Sequence, residues 1–146
     1  MVNVLDVEQA HLEEIFEKDY GMDRLKLMFN RQRELMAKYH DIEKRNGCLQ
    51  TEDVPVDLNS TLGQQRLKDL NSRVCEELYE AANCLHNKPW KCSLMETDVD
   101  HYYEELADAW HFFIEMLISA GIDEQKLFEL YFKKSEVNKF RQRSNY

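Results

Sequence analysis

The 146-residue sequence has little glycine or proline, with four and two residues respectively. Both residue types disfavour helix interiors, so their scarcity leaves long segments rich in Leu, Glu, Lys, Met and Ala free to form helices. Strand-like alternation of apolar and polar residues is absent, and so are internal repeats. A chain of this length typically forms a single domain around one core. We therefore expect one compact all-α domain, residues 1–146, built as a bundle of about five helices.

Other absences restrict the function. The sequence has neither a Gly-rich phosphate loop nor a strand–helix–strand nucleotide-binding unit, which argues against kinase, GTPase and dehydrogenase chemistry. Its four cysteines form no C-x-x-C pair and no zinc-like spacing, so we expect reduced thiols. No apolar run approaches the about 18 residues of a membrane span, and the early charges of the N-terminus do not fit a signal peptide. These features predict a cytoplasmic protein without a membrane partner.

The charges are unevenly distributed. A formal net charge of -9 argues against nucleic acid as a partner. The last fourteen residues, KKSEVNKFRQRSNY, nevertheless carry five basic side chains and one acidic side chain. A local basic patch on an acidic protein suits a small anion better than a polymer.

Helical periodicity and capping residues predict the element boundaries. The first two expected helices run from about Asp6 to Lys18 and from about Asp23 to Lys44. The third starts near Ser60 or Thr61 and is stopped by Asn87 and Pro89. The fourth opens after the acidic cluster Glu96, Asp98 and Asp100 and runs to Ala120, and the fifth runs from Asp123 into the basic tail. The second helix has an apolar stripe consisting of Leu25, Met28, Leu35, Tyr39 and Ile42. Thr61 and Gln64 form a candidate capping box, Pro89 lies beyond the third helix, and Gly121 ends the fourth. Residues 48–59 have no periodicity and predict a loop.

Acidic residues interrupt two apolar stripes. Glu77 lies within the stripe of the third helix, whose other members are Leu67, Leu70, Val74, Ala81 and Cys84. Glu105 interrupts the stripe of the fourth helix, formed by Tyr102, Ala109, Phe112 and Met116. Glu80 follows Glu77 by three residues and Asp108 follows Glu105 by three, so each pair shares one helix face. Burying an unpaired carboxylate costs roughly several kcal/mol. Either these helix faces are therefore solvated or a cation neutralises the carboxylates.

Two such pairs on packed helices bring four carboxylates together. That arrangement is stable only when some are protonated or when divalent cations lie between them. Mg²⁺ prefers carboxylate and water oxygens and commonly bridges them to substrate phosphates. It would also allow an acidic protein to bind a triphosphate. Solvated Glu-rich helix faces are common, however, and the residues alone leave both interpretations open.

Basic residues of the tail form a second candidate set. Lys134, Asn138 and Arg141 are spaced four and three apart, so they share one face of the last helix. Lys and Arg are the usual phosphate ligands. The same pattern also occurs in basic C-terminal turns that complement the helix dipole.

Two further features suit a nucleobase. In HNKPWK, residues 86–91, Trp90 lies between Lys88 and Lys91, where it can stack on a base while a lysine meets phosphate. A Trp that caps the core explains it equally well. Gln32 occupies the seam between Met28 and Leu35, and its amide can read a base edge or fix the helix register.

Together these motifs resemble a known family. Glu77-x-x-Glu80 followed by Glu105-x-x-Asp108 is similar to the E-x-x-E … E-x-x-D signature of the all-α nucleoside triphosphate pyrophosphatases, which include MazG-like enzymes and dimeric dUTPases. Lys134, Asn138, Arg141 and Gln142 match the Lys-x-x-x-Asn-x-x-Arg-Gln ending of dimeric dUTPases and related phage dCTPases. The resemblance spans roughly residues 25–146. Dimeric dUTPases have Gln-x-x-Leu-Asn on the first substrate-binding helix, whereas Met36 stands here in place of the Asn.

The resemblance implies Mg²⁺-dependent hydrolysis of a deoxynucleoside triphosphate, dUTP or dCTP, to the monophosphate and pyrophosphate. The four acids would hold Mg²⁺, Glu80 would help to deprotonate the attacking water, and Lys134 and Arg141 would hold the phosphate chain. It also implies a homodimer or a dimer of dimers, with sites between packed subunits. A MazG-like house-cleaning activity on purine or modified dNTPs is the alternative within the family.

Two other classes compete with this prediction. One is a non-catalytic helical interaction module with solvated acidic faces. The other is a carboxylate-bridged di-iron bundle, which normally needs E-x-x-H on each of two helices. The sequence has only Asp-x-x-His, at Asp98–His101 and Asp108–His111, so His111 is expected to be a hydrogen-bonded packing residue.

Overall fold

The computed structural model describes residues 10, 12–14, 23–48 and 53–144. Four long helices lie in these ranges: α1 (Arg24–Arg45), α2 (Thr61–Asn83), α3 (Val99–Ser119) and α4 (Glu124–Arg143). The described ranges contain no strand, so the prediction of an all-α fold is confirmed. Of the helix expected over residues 6–18, residues 10 and 12–14 are helical and the rest lies outside the described residues. None of the helices described here has the length and apolarity needed to cross a bilayer.

Aspartates cap three of the helices. The starts at Asp23 and Asp123 agree with the prediction, whereas α3 begins at Val99, within the acidic cluster and not after it. The carboxylates of Asp23, Asp98 and Asp123 each accept a hydrogen bond from the backbone N–H three residues later, at 2.8 to 3.1 Å. Each such cap satisfies an N–H that the helix leaves unpaired and is worth about 1 kcal/mol. Asp100 lies in the first turn of α3, where its charge complements the helix dipole.

The α2 helix starts at Thr61, within the predicted range, but its capping interaction and its end differ from the prediction. The cap is Ser60, whose Oγ accepts from the Gly63 N–H at 2.9 Å, and the Gln64 side chain donates to the Leu58 carbonyl instead of closing a box with Thr61. The helix ends at Asn83, four residues before the predicted stop at Asn87. Asn87 lies in the following loop, where its side-chain amide is hydrogen-bonded to the backbone of Met95.

The α2 and α3 helices share the largest helix–helix interface, while α1 packs on α3 and α4 packs on α1. The core joins α1 to the second half of α3, and its buried members are Phe29, Met36, Ile114, Leu117 and Ile118. The loop before α2 is fixed to the end of α3, where the Val56 N–H donates to the Ser119 carbonyl at 2.9 Å. Gly121, at φ +81°, ends α3 against Pro55, and an added Cβ would lie 3.2 Å from the proline ring. This contact and the positive φ explain the glycine.

The core face of α1 is displaced from the predicted stripe. Its buried residues are Phe29, Gln32 and Met36, whereas Tyr39 and Ile42 are about half exposed. The predicted stripe marks helical periodicity only, and it omits Phe29 and Met36, which are buried. Tyr39 and Ile42 instead line an open groove between helices, so their apolar character reflects the groove and not the core.

No residue of α4 is buried, although the helix is rich in aromatic residues. The large apolar side chains that it exposes are Phe128, Leu130, Tyr131, Phe132, Val137 and Phe140. Exposed apolar patches of this kind are typical of interaction surfaces.

The Ser60 cap can be tested against the Thr61 alternative. We expect Ser60→Ala to lower the free energy of unfolding by about 1 kcal/mol, because the Gly63 N–H loses its acceptor. Thr61→Ala should change it by less than about 0.5 kcal/mol, since alanine is a good helix former at an exposed position. Urea unfolding followed by circular dichroism measures both values. Equal losses in the two variants would contradict the assignment of Ser60 as the cap.

Candidate functional site

Three acidic side chains converge at the interface between α2 and α3. One carboxylate oxygen each from Glu77, Glu80 and Glu105 lies within 4.8 Å of the others. Ala81 and Ala109 follow Glu77 and Glu105 by one helical turn, and both alanines are buried. Small residues at a helix contact allow close approach of the two axes. The alternation of acid and alanine on both helices therefore brings the carboxylates together.

The three carboxyl groups differ in their exposure to water. Glu105 is 6% exposed, Glu77 is half-buried and Glu80 is exposed. Burial, a hydrogen bond with Glu105, and the charges of Glu80, Asp108 and Glu105 together raise the pKa of Glu77 to about 7. Without a cation, a proton shared between Glu77 and Glu105 reduces the repulsion among these acids at neutral pH. The cluster thus favours positive charge, which a divalent ion would supply more effectively.

Asp108 belongs to the surroundings of this cluster. It is exposed, it lies one turn beyond Glu105 on α3, and its charge contributes to the raised pKa of Glu77. Its oxygens are not among the three that converge. Of the four predicted metal ligands, the structure therefore brings three within a few ångströms and places the fourth beside them.

Two neighbours complete the polar contacts of the cluster. His101 Nδ1 lies 3.2 Å from Glu105 Oε1, one turn earlier on α3. The Cys84 thiol donates to the Glu80 carbonyl at 3.4 Å. Burial, followed by the charge of Glu105, raises the pKa of the Cys84 thiol. The Cys84 thiol is therefore protonated at neutral pH in the absence of a metal, and its Sγ is not among the converging ligand atoms.

A groove of about 520 Å³ runs between α1, α2 and α3. Small-molecule sites commonly have volumes of about 300 to 1,000 Å³. Apolar and aromatic residues line it beside charged and amide groups, namely Gln32, Leu35, Met36, Tyr39, Ile42, Glu43, Arg66, Asp69, Leu70, Arg73, Asp108, His111, Phe112 and Glu115. Gln32, the predicted base-reading amide, therefore shares one groove with Asp108, a predicted metal ligand.

A chain of polar contacts crosses the groove. Arg66 lies 2.9 Å from Glu43 and 3.0 Å from Glu115. The other oxygen of Glu115 accepts from the Gln32 amide at 3.5 Å, and Gln32 Oε1 lies 3.0 Å from His111 Nδ1. Burial raises the pKa of Glu115, and the positive charge of Arg66 opposes that effect. His111 is thus hydrogen-bonded, as the sequence predicts.

Arg66, Glu43 and Glu115 were not predicted as site residues. Glu115 had a detectable signal, because it is the only Asp, Glu, Lys or Arg between Trp110 and Ser119. Arg66 lies one turn before Leu70 on the apolar stripe of α2, which is a weaker signal. Both residues are explained only when the three helices are seen together.

The predicted phosphate- and base-binding residues outside the groove lie on exposed segments. Lys134, Asn138 and Arg141 are on the exposed surface of α4, and none of them lines the groove. Lys88, Trp90 and Lys91 lie in the loop between α2 and α3. Trp90 is 77% exposed, so the alternative that it caps the core is wrong. A role in binding stays a prediction for both sets.

Comparison of the chain with protein-family models, with curated proteins and with solved structures gave no match in any of the three. The resemblance to the all-α nucleoside triphosphate pyrophosphatases therefore stays a prediction from the motifs.

The raised pKa of Glu77 predicts a pH-dependent stability in the absence of divalent ions. Its folded value of about 7 lies above the ordinary 4.5, so the native state holds the proton more tightly than the unfolded chain. That stabilisation is fully present below pH 4.5 and is lost as the pH rises to about 7. The free energy of unfolding falls by at most about 3 kcal/mol over this range, and solvent screening makes the loss smaller because Glu77 is only half-buried.

Urea unfolding in EDTA across pH 4.5 to 7.5 measures this loss. Glu77→Gln should have a smaller loss than the wild type, whereas Asp100→Asn, an exposed acid in the first turn of α3, should retain it. A wild-type profile identical to that of Glu77→Gln would contradict the proposed environment of Glu77.

Proposed function

We propose that the protein is a Mg²⁺-dependent deoxynucleoside triphosphate pyrophosphohydrolase, which converts a dNTP, dUTP or dCTP, to the monophosphate and pyrophosphate. The observation that carries this proposal is the convergence of Glu77, Glu80 and Glu105 next to a groove of nucleoside size. Asp108 links the two features, because it lines the groove and its charge acts on Glu77. The order of the two acidic motifs in the sequence supports the same activity.

The donor set fits Mg²⁺. The converging groups are all carboxylates, the hard oxygen ligands that Mg²⁺ prefers, and Cys84 remains protonated beside them. Glu77, Glu80, Glu105 and Asp108 would hold the ion. When bound, it would lower the pKa of a coordinated water and neutralise charge on the phosphate oxygens.

The environments of the acids divide their roles. Glu105 is buried and its Oε1 lies 3.2 Å from His101 Nδ1, so its position is constrained and suited to orienting a ligand. Glu80 is the most exposed of the three converging acids and therefore the one that solvent reaches most easily. We assign to Glu80 the acceptance of a proton from the attacking water.

The groove suits the nucleoside end of the substrate. Tyr39 and Phe112 supply aromatic surface and Gln32 supplies an amide for the base edge. Arg66 is paired with Glu43 and Glu115, so its charge is already neutralised by two carboxylates. The triphosphate therefore belongs at the acidic cluster with the metal, and the base belongs in the groove.

We further propose that the protein acts as a homodimer or a dimer of dimers. The aromatic residues on α4 are exposed in the single chain, which favours burial against a second copy. The same helix carries Lys134, Asn138 and Arg141. A partner's α4 placed over the acidic cluster would bring cations to the phosphate chain and satisfy the charge of both surfaces.

The catalytic assignment predicts a specific pattern of variants. Glu77→Gln and Asp108→Asn should each lower pyrophosphate release from the preferred dNTP by about 100-fold or more, because metal binding supplies several kcal/mol to the reaction. Asp100→Asn should stay within about twofold of the wild type. The assay uses dATP, dCTP, dGTP, dTTP and dUTP with Mg²⁺ and detects pyrophosphate, and an EDTA control should abolish release. Circular dichroism confirms that the variants fold.

The same panel decides between the proposals. A preference for dUTP or dCTP supports the dUTPase- or dCTPase-like activity, whereas a preference for purine dNTPs supports the MazG-like alternative. Full turnover in both Glu77→Gln and Asp108→Asn would remove the assigned site. No turnover of any nucleotide by the wild type would leave the non-catalytic interaction module as the better explanation.

Subunit mixing tests the contribution of a partner's α4. Glu77→Gln and Lys134→Ala should each be inactive alone, because one loses a metal ligand and the other a phosphate ligand. In a twofold-symmetric dimer whose sites combine both surfaces, co-refolding equal amounts should restore about a quarter of wild-type activity. Light scattering should report a dimer or a tetramer for all samples. Absence of recovery in mixed dimers would show that the two residues do not act across the interface.

A further inference from the structure

The amide of Gln32 is held at both ends. Gln32 is 3% exposed on the inner face of α1 and lines the groove. Its Nε2 donates to Glu115 Oε2 at 3.5 Å, and its Oε1 lies 3.0 Å from His111 Nδ1. Glu115 and His111 both come from α3, so one helix contacts the two ends of an amide that belongs to another.

Only one orientation of the amide satisfies these contacts while Glu115 is ionised. Rotating the amide by half a turn would place Oε1 against the carboxylate, where neither oxygen carries a hydrogen. Burial raises the pKa of Glu115, but the Arg66 guanidinium 3.0 Å from its Oε1 opposes that effect and favours the ionised form, which accepts from Nε2. Oε1 therefore faces His111, and His111 Nδ1 must carry the hydrogen that it donates.

The orientation of the amide decides which pyrimidine base it can pair with. Uracil presents an N–H at position 3 and a carbonyl at position 4, whereas cytosine presents a bare nitrogen and an amino group at the same positions. The donor and acceptor order of the two edges is therefore inverted. A freely rotating amide can pair with either edge, but a fixed amide matches one of them and opposes the other.

We propose that His111 is a positioning residue that fixes the Gln32 amide and thereby makes the protein select one of the two pyrimidines, uracil or cytosine, over the other. The inference rests on the proposed function, in which the groove receives the base. It adds a residue and a physical basis for selectivity, because His111 acts through the amide and not on the reacting phosphates.

The test compares dUTP and dCTP as substrates of the wild type, His111→Asn and His111→Phe. The wild-type kcat/KM values should differ by about 5- to 150-fold, the usual discrimination from a two-point base contact. His111→Phe should bring the ratio towards one, mainly by raising KM for the preferred nucleotide, with kcat within about threefold of the wild type. His111→Asn should retain the ratio, because its side-chain amide can donate from nearly the position of Nδ1.

A second readout does not depend on turnover. Thermal shifts with dUMP and dCMP in EDTA should differ in the wild type and in His111→Asn, and should become nearly equal in His111→Phe. His111 is exposed at the edge of the groove, so both variants are expected to fold. Gln32→Met, which removes the amide but conserves the volume, should also equalise the two nucleotides.

The outcomes separate the two proposals. Turnover of a dNTP with equal efficiency for dUTP and dCTP, or an unchanged ratio in His111→Phe, would overturn the role of His111 and leave the phosphohydrolase proposal intact. If no dNTP is hydrolysed, the proposed function fails and the monophosphate shifts decide the inference. Unequal shifts that His111→Phe removes would support it, and equal or absent shifts in the wild type would overturn it.

Discussion

Repulsion among carboxylates at the interface between α2 and α3 is the constraint on which the rest of the site depends. The two helices share the largest contact of the fold, and buried alanines one turn after Glu77 and Glu105 let them approach closely. That approach forces Glu77, Glu80 and Glu105 together. Part of the repulsion is relieved by a proton, as the raised pKa of Glu77 indicates. A protein that needed only a stable helix pair would be better served by apolar residues at these positions, and this is the physical basis of the proposed cation site.

The groove and the acidic cluster differ in their charges: the groove contains paired opposite charges, whereas the cluster contains neighbouring carboxylates. In the groove, Arg66 is paired with Glu43 and Glu115, and the Gln32 amide contacts two side chains of another helix. In the cluster, His101 Nδ1 lies 3.2 Å from Glu105 Oε1, and the three carboxylates lie close to one another. A neutral ligand part fits the first environment and a cation fits the second. A nucleoside triphosphate bound with a metal has both parts in one molecule.

The sequence predicted most helix starts and the meeting of acids from two helices, but it did not identify the residues that are paired across the groove. The helix starts at Asp23 and Asp123, and the spacing of the acidic pairs, follow from local geometry and are present in the structure. The stripe of α1 was displaced, because periodicity cannot distinguish residues that face the core from those that face a groove. Arg66 and Glu115 were missed for a related reason. Each is paired across helices, and no spacing within one helix reports a partner that lies 49 positions away in the chain.

Two hydrogen bonds order the loop between α2 and α3, and this affects binding at Trp90. Both polar atoms of the Asn87 amide engage Met95, donating to its carbonyl at 2.9 Å and accepting from its N–H at 2.8 Å. This pair of bonds closes a small ring of backbone from which Trp90 projects into solvent. The loop therefore loses much of its conformational entropy when the protein folds. A ligand that binds the indole contacts a side chain on a preorganised loop, so the entropic cost of ordering the protein on binding is smaller.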